Sequence, residues 1–354
     1  MGVIGRRAAQ AGSEGPGEVL PPHLLPIATR PAALRTGLCD LLEIDVPVIQ
    51  AGMSIFTSPS LAAAVSNAGG LGSLGVWQRP VEQLKRDLEE LRERTDRPFA
   101  LNHVVPDLDE AAFELTLEAA PAVVSFALDD AGELMKRVHD VGSLVMQQVT
   151  IVEQATRAVS NGADIIVAQG WEAGGYGGTV ATLALVPQVV DAVHPVPVVA
   201  AGGIADGRGL AAALVLGAAG VNLGSRFLAS EEAPVGQIWK NAIVASASEE
   251  WVQLEFINDI KPNPGAMGYQ TRVRTLRNQF TDRWEQRREE LRVDPTDVVG
   301  EIMRATQEGR LEELLVFAGQ SSGLIDDIAP AAEILRRIVA EAEHVLRQTV
   351  DLAT

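Results

Sequence analysis

From residue 45 the chain alternates between two patterns. Short apolar runs, many of them β-branched, are separated by longer stretches in which apolar positions recur every three or four residues. The runs predict eight strands, at 46–50, 71–76, 99–105, 122–126, 143–149, 164–169, 197–201 and 220–224. The stretches predict helices, among them 80–94, 109–119, 152–161 and 206–217. Runs such as Ile165-Ile166-Val167-Ala168 and Val198-Val199-Ala200-Ala201 are continuously apolar, as strands of a parallel sheet covered on both faces must be. Strand–helix alternation predicts parallel βαβ units. Eight such units closing on themselves give an α/β fold, a TIM-type (β/α)8 barrel; a doubly wound open sheet is the alternative.

The rhythm breaks after residue 224. Residues 230–318 carry amphipathic helical patterns, Trp239, Trp251 and an arginine-rich patch at 272–292, which reads as a helical lobe inserted after the eighth strand. A strongly amphipathic helix at 330–348 lies in a C-terminal segment, 319–354, that returns to the barrel of residues 31–229. The first 30 residues read as a flexible extension. Rich in Gly, Ala, Glu and Pro and without an apolar h-region, they do not resemble a secretory signal.

Composition narrows the classes. Of 354 residues 47% are hydrophobic, which supports a sizeable core and excludes a disordered chain. A net charge of −18 repels phosphate backbones and anionic lipid, and only 4% of residues are aromatic, so neither nucleic acid nor membrane is expected as a partner. No apolar stretch reaches the roughly 18 residues of a bilayer span. The lone cysteine, Cys39, sits in an apolar run, cannot form an internal disulfide or a thiolate metal cluster, and fits a cytoplasmic setting; no metal site is expected.

Candidate chemistry collects where the strands end, the face on which TIM barrels build their sites. The seventh strand runs into Gly202-Gly203 and the eighth into Asn222-Leu223-Gly224-Ser225. Glycine lets backbone N–H groups approach a ligand, and Ser225 adds a hydroxyl at a helix start. Together the two loops read as a phosphate cradle, although glycine in either alone would serve a tight turn equally well. The sixth strand ends in a loop, 169–179, whose Gln169, Gly174 and Tyr176 stand among further glycines; so many glycines argue against helix or strand there. The first strand ends in Gln50-Ala51-Gly52-Met53, small residues beside a polarizable wall. Asn102 and His103 are neighbours on the third strand, and Gln147 and Gln148 on the fifth, so only one of each pair can face a ligand inside the barrel. His23, His139, His194 and His344 suggest surface or packing roles.

These residues carry a resemblance. The blocks VIQAGM, NAGGLGSLG, AQGWEAGGYGG, VVAAGGIADGRG, GVNLGSRFLASEE and AGQSSGLI, in this order and with Asn102 between them, resemble the nitronate monooxygenase family, formerly 2-nitropropane dioxygenases, which is similar to the flavin-dependent enoyl-acyl carrier protein reductases. The resemblance runs over about 34–345. It implies FMN bound without a Rossmann fold, with Ala51, Gly52 and Met53 along the ring and Asn102 and Gln148 bonded to it. It further implies Gln169 and Gly174 flanking the cofactor, Gly202, Gly203, Asn222, Leu223, Gly224 and Ser225 holding the phosphate, and Gln320 and Gly323 near the pocket.

One departure matters. Where the family usually has a histidine, the proposed catalytic base, this chain has Tyr176. Imidazole titrates near pH 6.5 and phenol near 10, so Tyr176 is a poor base unless a positive charge lowers its pKa, though it can donate a hydrogen bond. A nitronate is already deprotonated and needs no base. Oxidation of alkyl nitronates with O2 is therefore the leading expectation, with Tyr176 as the candidate catalytic residue. The alternative is an NAD(P)H-dependent reductase of an enoyl thioester or quinone; a third reading is a flavin-binding protein without turnover. Whether the helical lobe caps the pocket or makes the contact of a homodimer is left open.

Overall fold

A computed structural model describes residues 34–260 and 272–352. The expected extension and His23 lie outside the described residues. Eight parallel strands form one sheet: β1 (Val48–Gln50), β2 (Gly72–Gly75), β3 (Phe99–Val104), β4 (Val123–Ala127), β5 (Leu144–Val149), β6 (Ile165–Gln169), β8 (Val198–Ala201) and β9 (Gly220–Leu223). Their order is β1-β9-β8-β6-β5-β4-β3-β2. A parallel bridge between Ile49 and Leu71 brings β1 beside β2 and rounds the sheet into a TIM barrel. Each strand falls within two residues of its predicted span.

The side-chain period of two sets the interior. Ile165 and Val167 of β6 point inward with Ile49, Met146 and Val199, and the helix Gly37–Leu42 packs Leu38, Cys39 and Leu42 against them. Ile166 and Ala168 point outward into the larger core under the surrounding helices. Toward the strand ends the inward positions turn polar, at Asn102, Gln148, Gln169 and Asn222. The lower barrel is thus a packed plug and the upper rim a hydrogen-bonding surface.

The helices start where their sequences provide caps. Ser58, Asp109 and Asp206 each accept the N–H of the residue three positions on, at 3.0–3.1 Å. The C-terminal helix Ala331–Leu352 lies against the helix Gly207–Val215. A Cβ at Gly207 would come within 2.4 Å of the Ala342 nitrogen, so glycine is what permits this close approach. Among the described residues no helix is long and apolar enough to cross a membrane.

Between β9 and the C-terminal helix, helices were expected alone. The segment also holds β10 (Trp251–Leu254) and β11 (Arg272–Leu276), and β11 pairs with β7 (Gly175–Gly177) in a second, antiparallel sheet ordered β10-β11-β7. The expectation that the glycine-rich 169–179 loop contains no strand is therefore corrected. Three of its residues are held extended by β11, a partner distant in sequence that local glycine content does not reveal. A separate apolar cluster, including Phe256, Phe280, Trp284 and Leu291, underlies the helices of this segment.

Candidate active site

A cavity of about 400 Å3 opens at the C-terminal rim of the barrel strands, within the roughly 300–1,000 Å3 usual for small-molecule sites. Of the residues singled out from the sequence, Ala51, Gly52 and Met53 line it from the end of β1, and Asn102 and Gln148 from β3 and β5. Gln169, Gly174 and Tyr176 enter from the end of β6, Gly202 from β8, and Asn222, Gly224 and Ser225 from β9.

The amides are arranged by their neighbours. Asn102 Nδ2 donates to Ser125 Oγ at 2.7 Å. A Cβ on Gly52 would lie 2.3 Å from Asn102 Cβ, so glycine there leaves Asn102 its place. Gln148 Nε2 donates to Gln169 Oε1 at 2.8 Å, and Gln169 Nε2 points at the Gly174 carbonyl at 3.5 Å. Asn222 Oδ1 is buried without a hydrogen-bond partner, as is Ser73 Oγ behind Gly52. Orphaned buried polar atoms cost free energy, and Asn222 is an amide on the cavity wall awaiting a partner.

Gly202 and Gly203 have successive positive φ values of +98° and +74°, a conformation that L side chains rarely adopt. Across from them, a Cβ on Gly224 would meet Met53 Sδ at 3.4 Å. Ser225 begins a helix of only four residues, so its contribution is its hydroxyl rather than a helix dipole. That oxygen accepts the Gly319 N–H at 2.7 Å and keeps its own proton to donate. Glu172 receives the N–H and hydroxyl of Thr182 at 2.9 and 2.8 Å, and Thr182 Oγ1 lies 3.0 Å from the Gly202 carbonyl, joining the β6 and β8 loops.

Four sequence candidates do not line the cavity. Leu223 turns its side chain into the outer core, because it alternates with the inward Asn222. Gly203 stands one residue behind Gly202, beside Glu172. In the AGQSSGLI block Ala318 and Ser321 face the cavity. Gln320 instead gives its N–H to the Glu172 carbonyl at 2.9 Å, and Gly323 packs against Ser248.

The alternation argument holds for the remaining polar pairs. His103 points outward, sits 2.9 Å from Thr116 Oγ1 and packs edge-on to Phe113. Burial pushes its pKa down to about 4 against a small opposing pull from Asp109. Gln147 also points outward, accepting the Ala131 N–H at 3.2 Å and donating to the Asp129 carbonyl at 2.9 Å.

Several wall residues escaped the sequence reading. Ser54, Gln78 and Leu128 line the cavity and all have positive φ, at 52°, 62° and 68°; strain in non-glycine residues gathers at functional sites. Trp77, Ile257, Val273 and Phe317 complete the apolar side. Their position after strands β2 and β4 could have flagged Trp77, Gln78 and Leu128, whereas nothing local marks Ile257 or Val273.

Tyr176 packs with Trp77 against Val104, Ala127 and Leu128. It is the one titratable side chain lining the cavity among the described residues. Burial, and secondarily the charge of Asp107, raise its pKa above the ordinary phenol value, so it stays protonated. Amides at the rim, a glycine-walled cradle beside them and a neutral phenol against an apolar wall suit a flat hydrogen-bonding ring with an anionic tail and a small substrate.

The nitronate monooxygenase family model matches residues 35–341. A (3aS,4S,5R,7aS)-5-hydroxy-7a-methyl-1-oxo-octahydro-1H-indene-4-carboxyl-CoA dehydrogenase of Rhodococcus jostii is 39% identical over 221 residues, which span 62% of this chain and 62% of that relative. A probable nitronate monooxygenase of Staphylococcus saprophyticus is 30% identical, covering 89% of this chain and 99% of its own length. The structure of FabK from Thermotoga maritima superposes with a TM-score of 0.79 at 34% identity, over 90% of this chain and 100% of that one.

Proposed function

The chain belongs to the nitronate monooxygenase family, and on that premise we propose that this oxidoreductase binds FMN and uses O2 to oxidise alkyl nitronates. The observation that carries the reading is the Tyr176 phenol on the cavity wall, its pKa raised by burial, where the family usually has a histidine. Such a site suits a substrate that arrives already deprotonated.

Asn102, Gln148, Gln169 and Asn222 offer the donors and acceptors that a flavin ring edge takes up, and a partner for the orphaned Asn222 oxygen is what a bound ring would provide. Gly202, Gly203 and Gly224 leave room for backbone to approach the phosphate, and Ser225 has a proton to donate. When bound, the flavin supplies the electron-accepting chemistry, while the protein supplies position and hydrogen bonds. Tyr176 donates to a nitronate oxygen, which orients the substrate and balances its charge. Trp77, Leu128 and Val273 wall off the alkyl end from water.

A second reading, NAD(P)H-dependent reduction of an enoyl thioester or quinone, is supported by the likeness to FabK, while the carboxyl-CoA dehydrogenase by its name works on a CoA thioester in the oxidising direction. A protonated phenol could serve that reaction as a donor. The opposite direction, dehydrogenation of a saturated thioester, would need a base to remove the Cα proton. Oxygen uptake with propionate-3-nitronate and with 3-nitropropionate, its form protonated at the nitro-bearing carbon, at neutral pH, tests the proposal. Turnover of the nitronate alone is expected; equal turnover of both would mean that a base is present after all.

A further inference from the structure

Arg274 is among the largest fully buried side chains, at 1% exposure, yet no carboxylate is among its hydrogen-bond partners in the described residues. Its guanidinium spreads over three backbone carbonyls instead. Nε donates to Ala173 O at 3.0 Å, Nη1 to Trp251 O at 2.6 Å and Nη2 to Trp171 O at 2.5 Å. The group lies 5.4 Å from the centre of the Trp171 ring, and the backbone of Arg274 stands opposite Gly175 in the β11–β7 ladder. Two of the three bonds therefore leave the arginine's own sheet for the loop between β6 and β7.

Elsewhere that loop is tied by Glu172, which accepts from Thr182 and, through its carbonyl, from the Gln320 N–H, and by the Trp171 N–H on the Val180 carbonyl; Arg274 is what takes its Trp171 and Ala173 carbonyls. Residues 170–178 include five glycines, each of which loses more freedom on ordering than any other residue. Only three of the loop residues pair with β11. A planar fork of fixed donors collects carbonyls from two segments in a set geometry, which a lysine ammonium, with its three donors at one point on a flexible stem, defines less sharply.

We propose that Arg274 is a positioning residue, which fixes the 170–178 loop and thereby sets where the Tyr176 phenol stands over the cavity. The inference rests on the reading of Tyr176 as the group that meets substrate. It acts by geometry, through guanidinium bonds to the loop backbone at Trp171 and Ala173.

The test uses the full-length, flavin-loaded enzyme with Arg274→Lys and Arg274→Met. Amide hydrogen exchange over 170–178 should accelerate about ten-fold or more while β4 and β5 are unchanged, as expected when a local clamp is released. Turnover should fall in both variants. On a Tyr176→Phe background Arg274→Lys should cost little more, because residues acting through one group are non-additive. Unchanged exchange in the loop, or fully additive losses, would overturn the proposal. Should neither variant fold, exchange in the unaltered protein still decides: amides at 171–178 should open together with those of β11, and independent, far faster opening of the loop would overturn it. If Tyr176→Phe alone costs nothing, the functional reading fails, while the exchange result stands or falls separately.

Discussion

Val273 stands opposite Tyr176 in the antiparallel ladder between β11 and β7, and both side chains line the cavity at the barrel rim. The phenol at the candidate site is thus placed by a strand outside the barrel. Segments far apart in the chain meet at that ladder, and the barrel supplies the amide and glycine walls while the outer sheet supplies the phenol's support.

Tyr176→Phe keeps the ring packed against Leu128 and Val104 and removes only the hydroxyl. If that hydroxyl hydrogen-bonds the nitronate, turnover should fall about 10- to 100-fold, the scale of losing a hydrogen bond to a charged group, with flavin content unchanged. Tyr176→His should act in the opposite sense on neutral nitroalkanes, giving measurable oxidation by adding a base. Steady-state oxygen uptake with both substrate forms checks each outcome, and an unchanged rate in Tyr176→Phe removes the phenol from the mechanism.

Gly203→Asp puts a side chain where φ is +74° and where Cβ would lie 3.4 Å from Glu172 Cβ. It also brings a carboxylate to the loop assigned to the phosphate. Purified protein should carry less than about a tenth of the flavin of the parent, since buried like charges without partners are strongly disfavoured. The ratio of flavin to protein absorbance measures this, and full occupancy would place the phosphate elsewhere.

His103 links folding to pH. Its folded pKa is lowered from 6.5 to about 4 by burial. Between those values the unfolded chain binds more protons than the folded one, so stability falls as pH drops through this window. The loss at pH 5 should be about 2 kcal/mol from this group alone. A proton NMR titration should find the His103 ring neutral down to about pH 5, and a midpoint near 6.5 would contradict the assignment.

The barrel was legible because a parallel strand buried on both faces must be apolar, and β8 obeys that rule residue by residue and β6 as far as Ala168. Strand alternation likewise separated Asn102 from His103 and Gln148 from Gln147. The outer sheet was not legible. Gly175 and Gly177 are poor strand formers on either side of Tyr176, and what makes the three extended is pairing with Arg272, Val273 and Arg274. For the same reason Arg274 read only as one member of the arginine-rich patch at 272–292, when it is buried against carbonyls. The AGQSSGLI block reaches the cavity through Ala318 and Ser321, because the short 3-10 turn Gln320–Leu324 turns Ser321 inward rather than Gln320 or Gly323.

The most direct test is to mix the flavin-loaded protein anaerobically with propionate-3-nitronate, NADH and NADPH in separate cuvettes and follow the flavin spectrum. The nitronate should reduce the flavin and the nicotinamides should not. Reduction by NADH or NADPH alone would contradict nitronate oxidation and move the protein to the reductase reading.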